Sequence, residues 1–248
     1  MRLFRNVRKR MLISGKIKNY LLYALGEIFL IVIGILIAWK INNLNELRKN
    51  KIVEFKIYQT LNEELDANLK LLDSTIFRYA INVETIKKTI KNIDTKTEDL
   101  SDELKDRIIL TNHKSTQLHD GAINSINSTN KFEFIESVLL KDLIASYPNE
   151  LENFKSQEVK IENIIVNRLQ PAIESQVSLL YILSDRDLEL QTQSFSKQTN
   201  YINLLNSRAY QNALVDRLIN TEIQLKTSKN LRDKTKKIVD KLDKVLTN

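Results

Sequence analysis

An all-α fold is what this sequence predicts, and three observations predict it. Only four residues are glycine and two are proline, and Gly26 and Gly34 lie inside an apolar run, so Gly15 and Gly121 alone serve the rest of the chain. That is too few turn residues for a sandwich, a barrel or a doubly wound sheet. Second, the run from Leu21 to Trp39 has the length of a membrane span. Third, apolar residues recur in steps of three and four from Tyr58 to Ile93 and again from Tyr210 to Val245, which is helical periodicity. The expectation is one N-terminal transmembrane helix followed by an elongated extracytoplasmic helical bundle with long coiled-coil-like helices. It divides into a basic cytoplasmic tail (1–19), a transmembrane helix (20–41) and a bundle domain (42–248).

The net charge of +7 invites a nucleic-acid reading, but its distribution argues against one. Arg2, Arg5, Arg8, Lys9, Arg10, Lys16 and Lys18 precede the apolar run with no acid among them. Removing these seven leaves the remainder formally neutral. The basicity is a tail, not a DNA-binding face, and no nucleic-acid partner is expected. The chain has no cysteine, which excludes disulfides, thiolate nucleophiles and Cys-based metal sites.

Leu21 to Trp39 as a helix covers roughly 28 Å, close to a bilayer's hydrocarbon thickness. No A-x-A-like site follows it, so it reads as an anchor rather than a cleaved signal. Basic residues before the run outnumber Lys40, Arg48, Lys49 and Lys51 after it, which places the N-terminus in the cytoplasm and the bundle outside the inner membrane. Tyr20, Tyr23 and Trp39 stand near the two edges, as interfacial aromatics do.

Three segments, Tyr23-Ala24-Leu25-Gly26-Glu27-Ile28, Ile33-Gly34-Ile35-Leu36-Ile37-Ala38 and Ile41-Asn42-Asn43-Leu44-Asn45-Glu46, together resemble the hallmark segment of a bacterial family of single-pass membrane proteins. A weaker similarity lies around Ser128 to Tyr147. In that family an aromatic usually follows the paired asparagines; this chain has Leu44 there and its Trp at position 39. The resemblance implies membrane topology and brings no activity with it.

One acid, Glu27, stands inside the run. At about 100° per residue, Gly34 and Ala38 fall within ~20° of it, Tyr23 within ~40°, and Asn45 directly in line. Small residues let a second helix approach, and a polar group on the same face can hydrogen-bond across the contact. Tyr23, Glu27, Gly34, Ala38 and Asn45 are therefore the expected helix-contact face, toward a second copy or a partner's transmembrane helix, with membrane lipid around the rest.

Beyond the span, Tyr58, Leu61, Leu65, Leu69, Leu72, Ile76, Ala80, Val83, Ile86, Ile90 and Ile93 mark the inward stripe of one long helix, continuous or nearly so with the span and ended by the polar stretch Asp94 to Ser101. A short helix follows from Asp102 to Thr111, then a loop centred on Gly121. Another short helix runs from Ser137 to Tyr147 and stops before Pro148. The next begins at Asn149 with Leu151, Phe154, Ile161, Ile165 and Leu169 inward, and Pro171 kinks or interrupts it before Val177 to Ile182. After a polar linker, Thr192 to Thr199, the last helix carries Tyr210, Leu214, Leu218, Leu225, Leu231, Ile238, Leu242 and Val245. The two longest helices pair antiparallel. Phe132-Glu-Phe-Ile admits a short strand as the lesser reading. The last segment is basic, and reads as a solvated face or a contact with anionic headgroups.

Little in the sequence points to chemistry. His113 and His119, in HKSTQLHD, are not spaced as helical metal ligands. Glu63 and Glu64 are adjacent on a helix and so point apart. No catalytic, cofactor-binding or metal residue is assigned. The expectation is a scaffold, assembly or sensory module rather than an enzyme. With so short a cytoplasmic tail, a sensor would act through a membrane partner. The alternative is a membrane-tethered hydrolase with its site assembled between helices, recognisable by inward carboxylates and histidine.

Overall fold

The computed structural model describes residues 17–93, 100–178 and 200–247. Most of the basic tail, positions 94–99, any helix beyond Ser178 and the 192–199 linker lie outside the described residues. Among those described the regular structure is helical throughout: α1 (Ile17–Ile90), α2 (Asp102–Ile108), α3 (Gly121–Asn127), a 3-10 turn (Asn130–Phe134), α4 (Val138–Ile164), a π segment (Ile165–Leu169), α5 (Gln170–Glu174), α6 (Tyr201–Asn206) and α7 (Arg208–Leu246). Two compact units divide the chain, 1–55 and 56–248.

In the first unit, α1 is long and apolar enough to cross a membrane, and no residue of its most apolar window is buried. Leu22, Phe29, Leu30, Ile35 and Trp39 point in all directions around the helix, and each is more than half exposed. A helix apolar on every face is matched to an apolar surrounding, not to water on one side.

In the second unit, α1 and α4 both run antiparallel to α7. Asn62 donates to Asp243 at 2.9 Å, Arg232 meets Asp73 at 2.7 Å, and Lys87 meets Glu222 at 2.8 Å, so residue numbers rise on α1 as they fall on α7. The same holds for Glu150 with Lys234, Gln157 with Asn220 and Arg168 with Asp216. One apolar core joins Leu61, Leu65 and Leu72 of α1 to Ile144, Tyr147 and Phe154 of α4 and Ile238 and Leu242 of α7. A second gathers Ile86, Leu104, Ile108, Leu169, Leu204 and Tyr210. Burying each Leu or Ile of this kind contributes about 1.5–3 kcal/mol.

Cap residues set several boundaries. Ser101 accepts from the Leu104 N–H and is followed by Asp102 and Glu103, suiting the N-terminus of α2. Ser137 does the same for α4 through Leu140, and Asn200 for α6 through Asn203.

Several expectations are corrected. Gly121 starts α3 rather than centring a loop, because Glu64 supplies the acceptor that the helix start lacks: Ala122 N–H donates to Oε2 at 2.7 Å and Ile123 N–H to Oε1 at 3.2 Å. Pro148 does not separate two helices; it lies inside α4. Its ring removes the N–H that the Ile144 carbonyl would receive, and the Asn127 side-chain amide reaches that carbonyl at 3.5 Å. Near Pro171 the chain changes to a π segment, with Gln170 N–H bonded five residues back to the Ile165 carbonyl, and helix continues through the proline to Glu174. Phe132 to Phe134 form a 3-10 turn, not a strand. The last helix is preceded by α6 and a break at Ser207.

The inward stripes also differ. On α1, Asn68, Thr75, Tyr79 and Thr89 are buried, while Leu69, Ile76, Ala80 and Ile90 are only half-buried. On α7, Arg217, Thr221, Gln224, Ser228 and Thr235 are buried, whereas Leu218 and Leu225 are half-buried and Val245 is exposed. The hydroxyls of Thr221, Ser228 and Thr235 each donate to the carbonyl four residues back, which lets small polar residues enter a helix interface without unpaired groups.

Candidate functional site

The face expected to make a helix contact lies on α1. Tyr23 and Glu27 are half-exposed and Gly34, Ala38 and Asn45 exposed. A Cβ added at Gly34 meets nothing within 4 Å, so the space a second helix would use is open. The arrangement is a stripe on an unbroken helix, as its spacing requires.

A second constellation, not anticipated from the sequence, lies between α2 and α3. The connection Ile109–Asp120 contains both histidines, and buried polar groups from three helices hold it as a strap. Arg217 of α7, only 3 % exposed, donates to the carbonyls of Leu110 and, at 3.2 Å, Asn112. Asn68 of α1, fully buried, pairs both ways with the His119 backbone: its Nδ2 donates to the carbonyl at 2.7 Å and its Oδ1 accepts from the N–H at 2.8 Å. Lys155 of α4 meets Asp120 at 2.8 Å.

Glu158 of α4, 4 % exposed, is the centre of this network. Its Oε1 accepts from the Tyr79 hydroxyl at 2.7 Å and the Thr116 hydroxyl at 2.9 Å, and its Oε2 accepts from the Thr116 N–H at 2.9 Å. Since the single hydroxyl hydrogen of Thr116 goes to Glu158, Thr75 is the donor in the 2.9 Å contact between the two threonine hydroxyls. Arg78 adds a bond to Thr116 Oγ1 at 2.9 Å and lies over the Tyr79 ring at 5.6 Å from its centroid. Hydrogen bonds to a charged group stabilise by about 1.5–3 kcal/mol each, so one acid fastens the middle of the strap to α1 and α4.

The electrostatics follow from burial. Burial raises the Tyr79 pKa, and the Glu158 charge raises it further, keeping the phenol protonated as a donor. Burial likewise lowers the Arg217 pKa. The His113 pKa is lowered by burial, against the opposing pull of Glu158 and Glu162 and with the help of Arg217 and Arg78. The His113 Nε2 is buried with no hydrogen-bond partner. His119 instead lines an open cleft of about 520 Å3 with Glu63, Asp66 and Lys70. Among the described residues no group of three or more His, Asp or Glu side chains converges to hold a metal ion.

A readable signal for part of this site existed. Glu158 stands four residues after the inward Phe154 and three before Ile161, and Arg217 stands three after Leu214. A charged residue in step with a buried stripe marks either a pair or a site. Nothing in the sequence, however, announces that both act on a segment 42 and 107 positions away. The network positions chain; each oxygen of its acid is occupied by a donor of the protein itself. No family model, curated protein or solved structure matches this chain.

Proposed function

We propose that the protein is a single-pass, membrane-anchored scaffold, assembly or sensory module. Its N-terminal tail is cytoplasmic, residues 20–41 span the inner membrane, and the helical unit lies on the extracytoplasmic side. One observation carries the reading: the apolar stretch of α1 is exposed on every face, and bilayer hydrocarbon is the surrounding that suits such a helix. The charge asymmetry and the resemblance of Tyr20–Glu46 to single-pass proteins support it.

The stripe of Tyr23, Glu27, Gly34 and Ala38 in the span, continued by Asn45 just beyond it, contacts another transmembrane helix, a second copy or a partner. Against the hydrolase reading stands the state of Glu158, whose two oxygens accept three protein hydrogen bonds where a general base would need a face turned to substrate. The test of the anchored arrangement is a reporter fused after Asn248. It should be exported and remain with the membrane fraction; a cytoplasmic reporter, or release into the soluble fraction, overturns the topology.

A further inference from the structure

The strap Ile109–Asp120 is fastened to three helices by polar groups along most of its length and by Leu118, which packs into the first apolar core, and the buried His113 Nε2 within it is left without a partner. We infer that this strap is an acid-operated latch: protonation of His113, whose Nε2 is buried without an acceptor, releases the strap from α4 and α7 while the apolar cores of the same unit remain folded. The inference does not depend on the membrane topology.

The geometry gives the direction. With its single proton on Nδ1, a neutral imidazole leaves Nε2 as one weak unpaired acceptor, a modest cost. A proton on Nε2 turns that atom into a buried donor with no acceptor and adds a cation to the site. The charged groups that act on the ring are Arg78 from α1, Glu158 and Glu162 from α4, and Arg217 from α7. Glu158 is the buried acid of the set, and its oxygens hold Thr116 and Tyr79. Arg217 is fixed on the carbonyls of Leu110 and Asn112, immediately before the histidine. Glu158 already accepts three hydrogen bonds, so an imidazolium at position 113 competes with the strap's anchors for its oxygens, and it is repelled by the arginine that forms another.

Linkage fixes the sign. Burial lowers the His113 pKa, so the closed strap binds the proton less tightly than the open one. Closure is at full strength above the ordinary imidazole range and weakens as pH falls through it. Each tenfold ratio between the open and closed proton affinities permits up to about tenfold more opening at acid pH. From Leu110 to Gln117 the strap is held mainly by polar anchors, and such a segment opens at lower free energy than helices packed through Leu65, Tyr147 and Phe154.

Hydrogen exchange of the full-length protein in lipid nanodiscs tests this, comparing about pH 7.5 with about pH 5.5 after correction for intrinsic exchange. Peptides within 109–120 should exchange several-fold faster at the lower pH, while those from 57–72 of α1 keep their protection. His113→Phe should abolish the response, and His119→Phe should leave it intact. Equal acceleration of both regions overturns the latch, as does a response that survives in His113→Phe. Should His113→Phe open the strap at both pH values through altered packing, the unaltered protein decides. It has two histidines, so their ring titrations can be followed by NMR, and the His113 midpoint must coincide with the midpoint of strap opening. A strap that opens at a different pH from the His113 titration overturns the proposal.

Discussion

Helix α1 obeys two different rules along one unbroken backbone. Between Leu21 and Trp39 its side chains are apolar on every face and none is buried by the rest of the chain. Between Ile57 and Thr89 one narrow face is buried, at Tyr58, Leu61, Leu65, Asn68, Leu72, Thr75 and Tyr79, and four of those seven carry a hydroxyl, an amide or a phenol. The first stretch pairs its backbone within the helix and packs its side chains against nothing else in the chain. The second must satisfy a neighbouring strap as well as pack against helices, so polarity moves inside. Polar residues are therefore informative in opposite senses: Glu27 is an exception in its stretch, whereas Asn68 and Thr75 are how the second stretch works.

The largest effect should come from introducing the same charge into each stretch. Leu65→Asp puts a carboxylate at a position with no solvent exposure, removing a buried side chain and adding an unpaired ion. The loss of stability should be about 4 kcal/mol or more, read from unfolding of the full-length protein in detergent. Leu69→Asp, four residues along at a half-buried position, should cost clearly less. Ile31→Asp should leave that unfolding transition in place and instead lower membrane insertion, by roughly 2.5–3.5 kcal/mol on insertion scales. If Ile31→Asp unfolds the helical unit while insertion is unchanged, the two stretches are not governed by different solvents.

This division also explains what was legible in the sequence. The long apolar stretch and the long helices were, since period and length depend on one segment at a time. On α4 and the π segment the inward residues Leu151, Phe154, Ile161, Ile165 and Leu169 are all buried as the periodicity predicts, although it misses Gln157 and Glu158, buried on the same helix. On α1 and α7 the same method slid to the neighbouring leucines, taking Leu69 for Asn68 and Leu218 for Arg217. Those polar residues are buried because distant groups complete them: Asn68 needs the His119 backbone and Arg217 needs two strap carbonyls. Hydrophobic periodicity has no access to such partners. The candidate strap was visible only as HKSTQLHD, and its histidines drew attention while its fasteners, Glu158 and Arg217, did not.

The interruption at Pro148 illustrates the same limit with an effect of about 1 kcal/mol. Asn127 donates to its own helix at Ile123 and reaches the Ile144 carbonyl that the proline leaves unpaired. Asn127→Ala should therefore destabilise by about 1 kcal/mol. In a Pro148→Ala background the restored N–H can serve Ile144 itself, so the same substitution should cost less. A double-mutant cycle should show coupling on the order of 0.5 kcal/mol or more. Additive effects would mean that Asn127 acts only within α3 and that Pro148 is tolerated for another reason.

The smallest effect belongs to the acid in the span. Glu27 shares a face with Gly34 and Ala38, and the open space above Gly34 is what a close helix contact requires. Gly34→Leu should block the approach sterically, and Glu27→Ala should remove a hydrogen bond across it, for which cycles in a helical membrane protein average about 0.6 kcal/mol. Bulky changes at Leu30 or Ile37 point elsewhere around the helix and should do less. Association in membranes, followed by crosslinking of the full-length protein, must then separate the two faces by a few-fold, since 0.6 kcal/mol is roughly a threefold change in an equilibrium. If all four variants crosslink like the parent, the stripe is ordinary anchor surface. Glu27 is then a polar residue the bilayer tolerates, and association must be sought in the helical unit beyond residue 55.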